Sequence, residues 1–130
     1  MSVNGDLVYY GYRSIVVEGE TILRDSLVMQ LETFGFAVAA TRNSDEALEV
    51  MRSASDMRLM VVDRNVSGQM GALELAATAR SIAPNLRVVL TSGFCNSPMI
   101  EQAANSQWTL LRKPFSWSEF GVIIRDTLSA

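Results

Sequence analysis

The chain of 130 residues contains no histidine and a single cysteine, and each of these shortages excludes a class of function. Without histidine, histidine-based catalysis and histidine-ligated zinc are both excluded. Cys95 has no second cysteine with which to form an internal disulfide. We therefore expect a reducing, cytoplasmic compartment for this chain.

The sequence also lacks a basic cluster and a long hydrophobic run. Its net charge is −3 and its basic residues are scattered along the sequence, so we expect no nucleic-acid partner. No apolar run approaches the ~20 residues needed to cross a bilayer, and Met1–Asp6 lacks the features of a secretory signal. We expect neither a membrane span nor a membrane partner.

What the sequence does contain is typical of one globular domain. Its residues are 48% hydrophobic and 19% charged, and the length suits a single core. We interpret residues 1–12 as an N-terminal extension and residues 13–130 as the domain. The extension is either a frayed tail, as chain termini usually are, or an arm docked on the domain or on a partner.

Strand-like and helix-like patterns alternate five times along the domain. Apolar runs predict five strands, at Ser14–Val17, Phe36–Ala40, Leu59–Val62, Val88–Leu90 and Thr109–Leu111. Helical spacing of apolar residues follows each strand, and after the fourth it predicts a short helix from Ser97 to about Ala104. Capping-box patterns start two other helices, at Asn43 with Glu46 and at Ser116 with Glu119. This order predicts a parallel sheet covered by helices on both faces.

Four polar residues follow directly after predicted strands: Glu18, Asp63, Thr91 and Lys113. Because the carboxyl ends of parallel strands meet at one edge of a sheet, we expect these side chains to converge. Asp63 is the candidate nucleophile for a phosphoryl group, with Lys113 and Thr91 available to its oxygens. Glu18, Asp63 and a backbone carbonyl near Asn65 are candidate oxygen ligands for Mg²⁺.

Each of these residues also has a plainer interpretation. Lys113 and Asp63 would then form a salt bridge only, and Thr91 would cap a turn. Glu18 and Glu20 would be solvated acids near a helix N-terminus. The occurrence of all four at strand ends favours a site over four separate structural roles.

Five segments in order resemble the receiver domain of two-component response regulators. These are Ile15–Glu20, Val61–Asp63, Gly68–Gly71, Leu90–Gly93 and Lys113–Phe115. The resemblance implies an α/β fold, a flavodoxin-like (βα)₅ three-layer sandwich. Its parallel five-stranded sheet has the order 2-1-3-4-5.

The resemblance also implies a role for the matched residues. Asp63 would accept a phosphoryl group from a phosphohistidine on a sensor histidine kinase or a histidine phosphotransfer protein. Thr91 and Lys113 fall on the family's switch hydroxyl and phosphate-binding lysine, and the Lys113–Pro114 peptide is cis in relatives. The domain would be a signalling domain that acts on a downstream effector protein. It would have at most slow autodephosphorylation activity. The resemblance leaves open whether it forms a homodimer.

Three positions depart from the family's pattern. Gly19 occupies the place of an acidic metal ligand, which predicts weak Mg²⁺ binding. Leu110 stands where many receivers carry an aromatic switch residue. Ser67 replaces a proline that is common in the loop after the phosphoacceptor, and we expect that loop to be slightly looser.

Two other functions compete with the phosphoacceptor hypothesis. A degenerate pseudo-receiver would bind partner proteins without phosphorylation, with Gly19 as the sign of its lost metal site. A nucleotide-binding enzyme of the same topology would need a glycine-rich phosphate loop after the first strand. The segment Glu18–Thr21 has no such pattern, and its acids would repel a nucleotide phosphate.

Overall fold

The computed structural model describes residues 9–93 and 108–129 of the chain. The described part alternates strands and helices: β1 (Arg13–Val17), α1 (Thr21–Thr33), β2 (Ala37–Thr41), α2 (Ser44–Met51), β3 (Met57–Asp63), α3 (Ala72–Ile82), β4 (Arg87–Ser92), β5 (Thr109–Arg112) and α4 (Trp117–Ser129). The helix predicted from Ser97 to about Ala104 lies outside the described residues, as does Cys95.

All five strands form one parallel sheet in the order β2-β1-β3-β4-β5, which confirms the predicted topology. The central strand, β3, is buried on both faces, as its continuous apolar run predicts. Its last residue, Asp63, is in register with Thr91 of β4. The sheet therefore holds these two side chains side by side at its carboxyl edge.

Helices cover both faces of the sheet and define two cores. On one face α2 and α3 pack through residues such as Met51 and Leu75. On the other face α1 and α4 pack through residues such as Leu27 and Phe120. Burying a side chain of this size stabilises the fold by roughly 1.5–3 kcal/mol. No helix in the described ranges is both long and apolar enough to cross a membrane.

The strand and helix ends differ from the predicted ones by short steps. Thr91 lies inside β4 rather than just after it, and it is buried. The capping box at Ser116 and Glu119 forms in both directions, with hydrogen bonds of 3.0 and 2.8 Å. At α2 only half of the predicted box forms. The Asn43 side chain accepts from the Glu46 amide, but the Glu46 carboxylate accepts from the Arg42 amide and guanidinium instead.

The end of the N-terminal extension is docked on the domain. The Tyr9 ring stacks on Phe36 with 5.0 Å between ring centroids, and the Tyr9 amide donates to the Phe34 carbonyl. Partial burial raises the pKa of the Tyr9 hydroxyl. Residues Tyr9 to Tyr12 therefore form an arm that contacts the domain, and they are not a frayed tail.

The loop that follows Asp63 is fastened to the start of α2. The Ser44 amide donates to the Ser67 carbonyl over 2.9 Å, and the Ser44 hydroxyl accepts from the Met70 amide over 3.2 Å. Between these two bonds Gly68 has a φ of 114° and passes so close to Ser44 that a Cβ would overlap the hydroxyl. The predicted loosening at Ser67 is thus opposed by contacts that the sequence did not reveal.

We predict that Gly68→Ala destabilises the domain by about 1–3 kcal/mol, because an L side chain disfavours this φ and Ser44 must move. The matched control is Gly19→Ala. Gly19 lies outside the left-handed region, and a Cβ there would meet the Arg42 carbonyl at an ordinary 3.6 Å. The control should be neutral or slightly stabilising. Urea denaturation of the two variants checks this, and equal losses would contradict the proposed fastening.

Candidate functional site

Three charged side chains from different strand ends meet at the carboxyl edge of the sheet. The Lys113 ammonium lies 3.3 Å from Glu18 Oε1 and 3.3 Å from Asp63 Oδ1. The three side chains are 23%, 4% and 15% exposed, in the order Lys113, Glu18 and Asp63. Because water is largely excluded from them, their mutual attraction is stronger than that of an exposed ion pair.

Backbone contacts fix the position of each charged group. The Lys113 amide donates to the Ser92 carbonyl over 2.7 Å, which ties the residue after β5 to the end of β4. The Glu18 amide donates to the Thr41 carbonyl, and Glu18 Oε2 accepts from the Glu20 amide over 3.0 Å. The Lys113–Pro114 peptide is cis, as predicted.

The interpretation of Glu18 and Glu20 as solvated acids is wrong for Glu18. Its exposure of 3% excludes a solvated acid, although Glu20 is exposed as that interpretation requires. The carboxylate of Glu18 is instead a partner of Lys113. The proposed salt bridge between Lys113 and Asp63 is present, and Glu18, which the sequence placed at the same edge of the sheet, is its third member.

Thr91 places an unused hydroxyl beside this cluster. It is 1% exposed, and its Oγ1 has no hydrogen-bond partner among the described residues. Its carbonyl accepts from the Arg64 amide over 2.7 Å, so the backbone on both sides of Asp63 is held. A buried hydroxyl without a partner is destabilising, and it retains full capacity to donate to an incoming oxygen.

The other predicted site residues lie around the cluster. Asn65 is exposed two residues beyond Asp63, and no hydrogen bond in the described part of the chain joins it to the three charged groups. Gly71 is the N-cap residue of α3. Gly68 forms the close approach to Ser44 described above, and Pro114 follows Lys113 in the cis peptide.

Sequence reasoning missed Arg24, which supports the loop after β1. Its guanidinium donates to the carbonyls of Glu18 and Gly19 over 3.0 and 3.4 Å. The arginine is on α1, one turn into the helix, and its charge therefore lies close to the place of the absent acidic residue. Helical spacing placed its neighbour Leu23 in the core but gave no signal for this contact.

The described residues do not fit a preformed divalent-cation site. No group of three or more potential ligand residues of the types His, Cys, Asp and Glu occurs within residues 9–93 and 108–129. The two carboxylates that are present, those of Glu18 and Asp63, both contact Lys113. Gly19 contributes no side chain, so the charge that would hold a cation is reduced.

A shallow groove opens beside the cluster. It has a volume of about 370 Å³ and is lined by Lys113 together with Ile22, Leu23 and Phe115. Ile22 is 76% exposed, and Trp117 at the end of the groove is 37% exposed. The groove beside the site is therefore open to solvent on the side of α1, whereas the three charged groups themselves are largely shielded.

Solved structures of similar fold include receiver domains and response regulators. One is a CheY-like response regulator receiver domain protein from Methanospirillum hungatei JF-1, with a TM-score of 0.80 and 20% identity over 91% of this chain and 94% of that one. Another is a response regulator receiver protein from Sinorhizobium medicae WSM419, with a TM-score of 0.79 and 26% identity over 92% and 95%. A response regulator from Burkholderia pseudomallei contains a phosphorylated aspartic acid, a calcium ion and citrate. Its TM-score is 0.77, with 23% identity over 91% and 69%.

The similarity extends to sequence. The sensor kinase CckA of Brucella abortus (strain 2308) is 25% identical over 115 residues, which are 88% of this chain and 12% of the kinase. The chain thus spans about an eighth of that relative's length. Residues 15–125 match the family described as the response regulator receiver domain. The chain belongs to the response regulator receiver domain family of two-component signalling systems.

Proposed function

We propose that this domain accepts a phosphoryl group on Asp63 and thereby changes its affinity for another protein. The observation that carries the proposal is the contact of 3.3 Å between the Lys113 ammonium and Asp63 Oδ1, beside the unpartnered hydroxyl of Thr91. A phosphoryl acceptor needs a carboxylate with positive charge and a donor next to it, because phosphoryl transfer depends mainly on positioning and charge neutralisation. The described site supplies all three groups.

The two oxygens of Asp63 have different surroundings, which assigns them different tasks. Oδ1 is held by Lys113, whereas no hydrogen bond to Oδ2 occurs among the described residues. Oδ2 is therefore the attacking atom. It forms a bond to phosphorus as the bond from phosphorus to a histidine nitrogen of the donor breaks, and that nitrogen keeps the electron pair and takes a proton from solvent. Lys113 and the Thr91 hydroxyl then face the phosphoryl oxygens.

The donor would be a sensor histidine kinase or a histidine phosphotransfer protein, and the recipient of the signal an effector protein, in the cytoplasm. Phosphorylation alters output only if two conformations of the domain bind the phosphoryl group with different affinity. Leu110 is half-buried against the core formed with α2 and α3. Because leucine has no ring to rotate, we propose that the conformational change on phosphorylation involves the loop after Asp63 and the Thr91 hydroxyl.

A second candidate function is a pseudo-receiver that binds partners without phosphorylation. The absence of a three-ligand group in the described residues favours it specifically, together with Gly19. Two carboxylates around one ammonium leave only one net negative charge to attract a cation. In this case the cluster of Glu18, Asp63 and Lys113 would serve stability alone.

Incubation with acetyl phosphate and Mg²⁺, followed by intact-mass measurement, separates the two functions. We predict a single phosphoryl adduct on the native chain at high Mg²⁺ concentration. Asp63→Asn should abolish it, because an amide oxygen is a poor nucleophile. An adduct that persists in Asp63→Asn would place the chemistry elsewhere. A native chain that stays unmodified at every Mg²⁺ concentration would support the pseudo-receiver.

Gly19→Asp tests whether the missing carboxylate is the limiting feature. The backbone at Gly19 accepts a side chain and a Cβ meets no close contact, so the variant should fold normally. We predict that it lowers the Mg²⁺ concentration for half-maximal adduct formation by roughly tenfold or more, because ligand charge sets affinity for hard cations. The matched control is Gly19→Asn, which is similar in size but neutral. Identical Mg²⁺ dependence of the two variants would exclude this explanation.

A further inference from the structure

Arginines that are far apart in the sequence line one cavity at the amino-terminal edge of the sheet. Arg58 is the second residue of β3, Arg80 is in the last turn of α3, and Arg87 begins β4. All three line a cavity of about 170 Å³ with Asn85, and none of the described residues in its lining carries a carboxylate. The basic residues that are scattered in the sequence are therefore concentrated here by the fold.

Two of the guanidinium groups are held in place by aromatic rings. The Arg58 guanidinium lies over the Tyr12 ring at 4.3 Å from its centroid, and the Arg80 guanidinium lies over the Trp108 ring at 5.2 Å. Stacking fixes the plane of the guanidinium and leaves its edge free for acceptors. This arrangement reduces the conformational entropy that a bound anion would otherwise have to remove.

Arg58 also has an unused donor. Its Nε is buried and has no hydrogen-bond partner within the described part of the chain. No carboxylate of the described residues lies within 4.0 Å of Arg58 or Arg80, whereas nearby Asp56 is paired with Arg13 at 3.0 Å. A buried cationic N–H without an acceptor is unfavourable, so the described residues around Arg58 do not compensate its charge.

The surrounding acids do not cancel this charge. Asp126 lines an adjoining cavity of about 170 Å³ that shares Arg80 and Arg87, and its carboxylate lies 4.0 Å from Arg125. It is 69% exposed at the side chain, so solvent screens its effect. Around Arg58 and Arg80 the described residues therefore leave a positive charge, within a protein whose net charge is −3.

We propose that this cavity, which we call the arginine cavity, binds the phosphate group of a small anion. The two stacked guanidinium groups, those of Arg58 and Arg80, match an ion with more than two acceptor oxygens and two negative charges, whereas a single carboxylate would use only one fork. The volume is below the ~300 Å³ at which pockets for drug-sized ligands begin, so only the phosphate itself is enclosed. The site lies about 16 Å from Asp63 along β3 and does not depend on phosphorylation there.

Titration with inorganic phosphate at constant ionic strength tests the proposal, with the side-chain Nε–H resonances of the arginines followed by NMR. We expect saturable shifts at Arg58 and Arg80. Arg80→Gln should weaken the apparent affinity at least tenfold. Arg52→Gln makes the same change of charge at the exposed C-cap of α2, outside the lining of the cavity, and should leave the affinity unchanged. Repeating the titration in Lys113→Met, which removes the ammonium, separates this binding from any at Lys113.

Two further experiments identify the class of ligand and control for misfolding of the variant. A phosphate monoester such as glycerol phosphate should bind as well as inorganic phosphate if the rest of the ligand projects into solvent, and more weakly if the cavity takes the free ion only. If Arg80→Gln is unfolded by circular dichroism, Arg80→Lys keeps the charge and should weaken binding by a smaller factor. Shifts that do not saturate, that chloride reproduces, or that keep the native affinity in a folded Arg80→Gln variant would overturn the proposal.

Discussion

The Lys113 ammonium, held between Glu18 and Asp63, is the interaction on which the functional edge of this domain depends. Lys113 follows β5, and its ammonium contacts Glu18, which follows β1, and Asp63, the last residue of β3. One positive charge thus connects the ends of three strands. Without the ammonium, two carboxylates would lie together in a site that is mostly shielded from water, and like charges there repel strongly. The same ammonium that stabilises the resting domain is the group that we propose contacts the oxygens of a phosphoryl group on Asp63. Structural and functional explanations of Lys113 therefore apply together.

The order of the elements could be predicted from the sequence because each one has a strong local signal. The run from Leu59 to Val62 is apolar on both faces, which only a central strand requires, and Ser116 with Glu119 forms the predicted cap. Once the strands are parallel, the convergence of Asp63, Lys113 and Glu18 follows from topology. The sequence predicts the ends of helices and strands less well, because contacts with other parts of the fold determine which hydrogen bonds form there. The carboxylate of Glu46 thus bonds to Arg42 and not back to Asn43.

Contacts between residues distant in sequence and of common type could not be predicted. Ser44 fastens the loop after Asp63 through one hydroxyl and one amide, yet a serine at the start of a helix is unremarkable in sequence. Arg24 and the arginine cavity are similar cases, since a scattered arginine has no periodicity that reveals its neighbours. Gly19 is the reverse case. The resemblance to receivers predicts a missing ligand at this position, and the structure adds that nothing in the backbone requires glycine there.

The coupling free energy between Asp63 and Lys113 tests the account most directly. It is obtained from a double-mutant cycle of urea denaturation with Asp63→Asn, Lys113→Met and the double variant, at neutral pH. The account predicts a favourable coupling of about 1 kcal/mol or more, because both groups are largely shielded from solvent and Lys113→Met leaves Glu18 and Asp63 facing each other. A coupling indistinguishable from zero would mean that the ammonium does not hold this site together, and the proposed role of Lys113 at Asp63 would be contradicted.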